Sequence, residues 1–165
     1  PVVLSCTGAS MPTGTQDRIE RAEEIIGMAT DLGLALGSLH VDPLVIPIGV
    51  DPMAGGAFMD AVSTIRERFG DEIHITGGIS NISFGLPNRH GLNPAFLAMA
   101  IGAGMTSAIT SPLHAEVMQA VMGADVMMGH DPDCANWIRK YREPAAEGEE
   151  RGRGGRGGRR RRRRG

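Results

Sequence analysis

The chain has 165 residues, with 41% hydrophobic, 22% charged and only 4% aromatic side chains. That is the balance of one globular domain with a real core, and no apolar run approaches the roughly 20 residues that cross a bilayer. The formal net charge of −2 conceals two regions of opposite sign: nine of the 17 basic residues fall in the last 15 positions, leaving residues 1–150 with eight basic against 19 acidic, about −11.

In chain order, Val2-Val3-Leu4-Ser5-Cys6 reads as a buried strand. It is too short for the apolar region of a signal peptide and lacks a basic start. The chain opens on Pro1 rather than Met, so the expectation is that its natural beginning is missing. Thr13 and Gln16 have capping-box spacing. Ile19, Ala22, Ile26 and Ala29 follow at helical spacing, and Gly33 is placed to end the helix. A second strand is predicted over 38–42, stopped by Pro43. Phe58, Val62, Ile65 and Phe69 mark a second helix ended by Gly70, and a third strand follows over 73–76. Asn93-Pro94 has the form of a helix start, a cap and a first-turn proline. A fourth strand is predicted over 106–110, then a helix over 114–122, and Asp131-Pro132 opens a last one through Trp137 and Tyr141.

Four strand–helix units in a row call for an α/β fold with a parallel sheet. Four units make either a small open domain or half of an eight-stranded (β/α) barrel, a TIM barrel of about 250 residues. The half-barrel reading assigns residues 1–145 to its carboxyl-terminal half. Two unpaired strand edges would then be left. The expectation is a fragment that is poorly stable alone, or one that pairs with a second copy as a homodimer. Residues 146–165, with nine arginines from Arg151 onward, form an Arg/Gly-rich tail expected to be disordered. Such a tail attracts acidic surfaces without specificity, nucleic acid among them, but it offers no aromatic residue for stacking. Cys6 and Cys134 form no paired motif and read as reduced thiols of a cytoplasmic protein.

Function in such a barrel collects at the carboxyl ends of the strands. The segment from Ile73 through Gly77-Gly78 to Ile79-Ser80-Asn81-Ile82-Ser83 is a β-branched run ending in two glycines and a polar turn. Glycines let the backbone lie close to a flat ligand, and the Asn81 amide can then meet a heteroatom. Taken alone, Asn81 reads better as a left-handed turn residue. Asp42 ends a strand before Pro43, which biases it to an extended backbone. Its carboxylate can take two adjacent N–H donors, or it can simply cap a turn.

Asp42-Pro43-Leu44-Val45-Ile46-Pro47 and Ile79-Ser80-Asn81-Ile82-Ser83, continued by Pro87-Asn88-Arg89 and Leu92-Asn93, resemble the strand-end motifs of the methyltetrahydrofolate:corrinoid methyltransferases. That family includes the folate domain of cobalamin-dependent methionine synthase and shares its pterin-binding barrel with dihydropteroate synthase. The resemblance spans about residues 2–142 and is specific in those two loops. It implies methyl transfer between N5 of 5-methyltetrahydrofolate and the cobalt of a corrinoid, usually held on a partner protein. It implies that Asn81 contacts N5 as the catalytic residue and that Asp42 binds the pterin ring. Ser80, Ser83 and Arg89 are then candidates for ring or substrate-tail contacts. The family's further pterin-binding residues lie on earlier strands that this chain does not contain, so the amino-terminal half of the barrel is expected as a missing partner. The acidic residues common in relatives are absent from the loop Thr7-Gly8-Ala9-Ser10.

Two rival readings remain at this level. One is a dihydropteroate synthase-like folate enzyme, whose late Lys-x-Arg and Arg-x-His motifs are not visible. The other is a non-enzymatic protein that binds RNA or an acidic surface through its tail. Gly102-Ala103-Gly104 lies between a helix and a strand, the reverse of a dinucleotide fingerprint. His130, Asp131, Asp133 and Cys134 match no standard zinc spacing, and no metal is expected. His40 and His74 read as packed or hydrogen-bonded within strands, and Met118, Met122, Met127 and Met128 as core filler.

Overall fold

The computed structural model describes residues 1–142. The tail of residues 146–165, with its expected disorder and nucleic-acid contact, lies outside them. Strand β1 (Val2–Ser5) leads to α1 (Gly14–Asp31), β2 (Leu39–Asp42) to α2 (Ala54–Phe69), and β3 (His74–Ile75) to α3 (Arg89–Gly102). Two further helices close the described chain, α4 (Ala115–Met127) and α5 (Ala135–Tyr141).

The three strands are parallel in the order β1-β2-β3, with Ser5 opposite Asp42 and His40 opposite His74. A sheet that grows in sequence order through right-handed crossovers carries its helices on one face. The burial pattern agrees. Leu39, Val41, Ile73 and Ile75 are fully buried with Ile26 of α1, Phe58, Val62 and Ile65 of α2, and Leu97 of α3. Phe58 and Phe96 meet at 5.4 Å between ring centroids and lock α2 to α3. The alternate residues His40, Asp42 and His74 are only half buried, on the opposite face. There the His40 and His74 rings stack at 4.6 Å, with their Nδ1 atoms 3.1 Å from Ser107 Oγ and 3.3 Å from Thr106 Oγ1.

Four local expectations are corrected. Residues 106–110 run beside β3 but do not form a regular strand. The backbone N–H groups of Thr106 and Ser107 both donate to Ile75 O, at 3.0 and 3.1 Å, and Thr106 Oγ1 accepts from Ile75 N at 3.1 Å. Two donors on one acceptor, and a hydroxyl in place of a carbonyl, interrupt the ladder as a bulge does. Pairing resumes at Ile109, whose N–H donates to Gly77 O at 2.9 Å. Helix α3 starts at Arg89 behind a left-handed Asn88 (φ 51°), and Pro94 lies inside it. The Asn93 carboxamide is drawn instead to Ser83 Oγ, 2.6 Å away. Thr13 does precede α1 but makes no side-chain cap. Asp17 reaches back to the Thr13 N–H at 2.8 Å, and Gln16 donates to Glu20.

The last helix opens later than expected: Pro132–Cys134 forms a separate 3-10 turn, Asp133 and Cys134 are left-handed, and α5 begins at Ala135, with Asp131 still as its cap. The Asp131 carboxylate accepts from the N–H groups of Asn136 and Trp137, both at 3.0 Å, and these donors hold its carboxyl below the usual range. Among the described residues no helix is long and apolar enough to cross a membrane, and no three His, Cys, Asp or Glu side chains gather as a metal site.

Candidate functional site

Asp42 is the last residue of β2. Its successor is proline, so the chain leaves the strand extended, and the Asp42 Oδ1 then accepts the Leu44 N–H at 2.9 Å. Leu44 takes φ 66°, a left-handed conformation that is rare for a residue with a side chain. Part of what holds it is Arg18, which is fully buried in the first turns of α1. Its Nη1 donates to Gly14 O at 2.6 Å and its Nε reaches Leu44 O at 3.4 Å. The Arg18 Nη2 is buried with no partner among the described residues.

The second loop starts from the two glycines. A Cβ at Gly77 would stand 3.1 Å from both Phe58 and Val45, so a larger residue would force these side chains apart where the strand end settles on α2. A Cβ at Gly78 would stand 3.0 Å from Asn81 Nδ2. The carboxamide of Asn81 therefore lies directly against the Gly78 backbone. Asn81 sits in a short 3-10 turn, Ile79–Ser83, with its own N–H bonded to Gly78 O at 3.0 Å. It is not left-handed. The turn points the side chain outward, exposed and without a hydrogen-bond partner among the described residues.

Asp42 and Asn81 face one cavity of about 480 Å³ at the carboxyl ends of the strands. Ser80 and Thr110 add hydroxyls to its wall, and Leu44, Val45 and Ile109 add apolar surface. Burial pushes the Asp42 carboxyl up from its ordinary value, and the Leu44 N–H only partly opposes this. The neighbouring Cys6 thiol is pushed up to about 12 by burial and by the Asp42 charge, which leaves it inert.

Not every candidate reaches this space. Ser83 is fully buried, its Oγ 2.6 Å from Asn93 Oδ1 and 3.0 Å from Arg89 Nε. It ties the loop to α3 and does not line the cavity. Arg89 stands beside it, donating through Nη2 to Ser80 O at 2.5 Å, and lines a neighbouring cavity with Ser80. Sequence reasoning passed over Arg18 and Leu44. Arg18 carried a signal, because it falls in line with Ala22, Ile26 and Ala29 on the apolar stripe of α1.

A curated protein, the methylcorrinoid:tetrahydrofolate methyltransferase of Eubacterium limosum, is 31% identical over 142 residues. The match covers 86% of this chain and 52% of that protein, so the chain spans about half the length of its curated relative. No family model matches. The resemblance read from the two strand-end loops is borne out by this likeness over 86% of the chain.

Proposed function

We propose, from its kinship with a methylcorrinoid:tetrahydrofolate methyltransferase, that this chain is the carboxyl-terminal half of a pterin-binding (β/α)8 barrel that transfers a methyl group between tetrahydrofolate N5 and a corrinoid. The amino-terminal half would complete the barrel and the pterin pocket, and the corrinoid would arrive on a partner protein. The observation that carries this reading is the shared cavity of Asp42 and Asn81.

The residues present fit a pterin. A flat heterocycle with adjacent N–H donors needs a paired acceptor, apolar walls and a polar group at its far edge. Asp42 offers a carboxylate whose Oδ2 is free of protein partners among the described residues and whose Oδ1 keeps one lone pair beyond the Leu44 N–H. Leu44, Val45 and Ile109 offer walls, and Asn81 offers an unengaged amide. A cavity of this size lies in the range of small-molecule sites, roughly 300–1,000 Å³.

The corrinoid cobalt supplies the methyl acceptor or donor, so the chain needs no nucleophile of its own. What this chain does is hold and polarise N5. N5 carrying a methyl leaves poorly until it gains a hydrogen bond or a proton, and the Asn81 amide N–H can donate to it. When N5 carries a hydrogen instead, the Asn81 carbonyl can accept from it. One uncharged carboxamide can thus orient N5 in either direction, while the proton that N5 gains or loses is exchanged with solvent. Titration of the full-length protein with tetrahydrofolate tests the reading, and absence of binding at millimolar ligand would overturn it.

A further inference from the structure

The largest fully buried side chain among the described residues is Arg18 of α1. It makes no ion pair among them, and burial pulls its guanidinium below the ordinary value, with the charges of Asp51 and Asp17 opposing. An apolar side chain of that length would fill the same space on the apolar stripe of α1 without this cost. What the guanidinium alone adds is a set of fixed donors. We propose that Arg18 is a positioning residue for the pterin contact: it clamps Leu44 in its left-handed conformation, and through Leu44 it fixes the direction of the Asp42 carboxylate. The proposal rests on the pterin reading of the cavity and adds to it a group that stands behind the loop, outside the cavity wall.

Leu44 is gripped at both of its peptides. The N–H of the first is taken by Asp42 Oδ1 at 2.9 Å, and the carbonyl of the second faces Arg18 Nε at 3.4 Å. The φ and ψ of one residue relate those two peptide planes, so the pair of contacts together selects φ 66° for Leu44. Pro43 before it is fully buried and its ring fixes its own φ, which leaves Leu44 as the joint of the turn. Arg18 has a firm hold from which to act. Its Nη1 donates to Gly14 O at 2.6 Å, one helical turn back, where α1 opens. The reach to Leu44 O is long for a hydrogen bond, so the effect expected of it is several-fold and no more. Without the clamp a leucine returns to negative φ, the ordinary state of residues with side chains. Its N–H then leaves Asp42 Oδ1, and the carboxylate turns about its side-chain bonds instead of presenting Oδ2 to the cavity.

The test is a double-variant cycle in the full-length protein, with Arg18→Met, Leu44→Gly and the two combined. Glycine takes φ 66° without strain, so the Leu44→Gly background does not need the clamp. The apolar wall lost with Leu44 cancels within the cycle. The readouts are hydrogen exchange of the amide at position 44 without ligand, calorimetric binding of tetrahydrofolate, and single-turnover methyl transfer at saturating tetrahydrofolate. Arg18→Met alone is expected to speed the exchange about tenfold and to weaken tetrahydrofolate about fivefold. Transfer at saturation stays within about twofold, because Asn81 is untouched. In the Leu44→Gly background, Arg18→Met changes affinity by less than about twofold. An equal loss in both backgrounds, or no loss in a folded Arg18→Met protein, would overturn the proposal. Where Arg18→Met does not fold, Arg18→Lys serves in the same cycle, since it keeps the buried charge and loses the planar fork. Failure of the unmodified protein to bind tetrahydrofolate would instead overturn the pterin reading, and with it the part of Arg18 in binding, while the exchange cycle still reads the clamp itself.

Discussion

The Leu44 N–H donates to Asp42 Oδ1 at 2.9 Å, and Leu44 turns left-handed, at φ 66°, to make that bond. A strained residue beside a candidate ligand carboxylate is what pre-organisation looks like in a backbone. The turn fixes one oxygen of Asp42 and leaves the other to the cavity. Capping, one of the two readings of the sequence, uses Oδ1, and Oδ2 is left for the ligand contact proposed above.

Asp42→Asn keeps the turn, because an amide oxygen still accepts from Leu44, but removes the charge. Burial raises the Asp42 carboxyl in the folded state. A raised carboxyl gives stability that is complete below the unfolded value of about 3.9 and is lost as pH rises through the folded value. The variant is therefore expected to melt higher than the unmodified protein at pH 7, by roughly 0.5–1 kcal/mol. That advantage shrinks toward pH 4, while pterin affinity falls at pH 7. Thermal denaturation across pH checks the first, and titration checks the second. A variant that is less stable at pH 7 would contradict the assignment of Asp42 as a buried, functionally retained charge.

Gly78→Ala puts a methyl group 3.0 Å from the Asn81 carboxamide, and that side chain must give way. Because the neighbour is the end of a flexible, exposed side chain, the cost in stability is small, below about 1 kcal/mol. The cost in methyl transfer is expected to be about tenfold or more, since N5 loses its aligned partner. Comparing the melting temperature with kcat separates the two.

Ser83→Ala removes a hydroxyl that is fully buried between Asn93 and Arg89. Leaving those groups short of a partner costs about 1–3 kcal/mol. The expected signature is a lowered Tm, with kcat on the folded protein changed less than by Gly78→Ala. A large kcat effect at unchanged Tm would restore Ser83 to direct ligand contact.

Much of this was legible from local chemistry. Strands ended by Pro43 and by Gly77-Gly78 announced where loops leave the sheet, and residues flanking those stops are the ones that meet in the cavity. Nothing local told Ser83 from Ser80, two hydroxyls three residues apart. They share one side of the 3-10 turn. What separates them is tertiary, since Asn93 and Arg89 of α3 close over Ser83 while Ser80 stays on the wall of the site. Pro94 misled for a similar reason: its preference for a first turn is real, but packing of Asn93 onto Ser83 let the helix begin five residues earlier than that proline. The 106–110 segment had strand composition, and only the Thr106 hydroxyl, competing with the backbone for Ile75, spoiled its ladder.

The central claim is that Asp42 binds and Asn81 activates, from one cavity. Tetrahydrofolate titration and single-turnover methyl transfer, both on the full-length protein, test it together in Asp42→Ala and Asn81→Ala. The expected result is affinity reduced about tenfold or more in Asp42→Ala, and near-normal affinity with methyl transfer slowed about 100-fold in Asn81→Ala. Binding and transfer rates unchanged in both variants would contradict it.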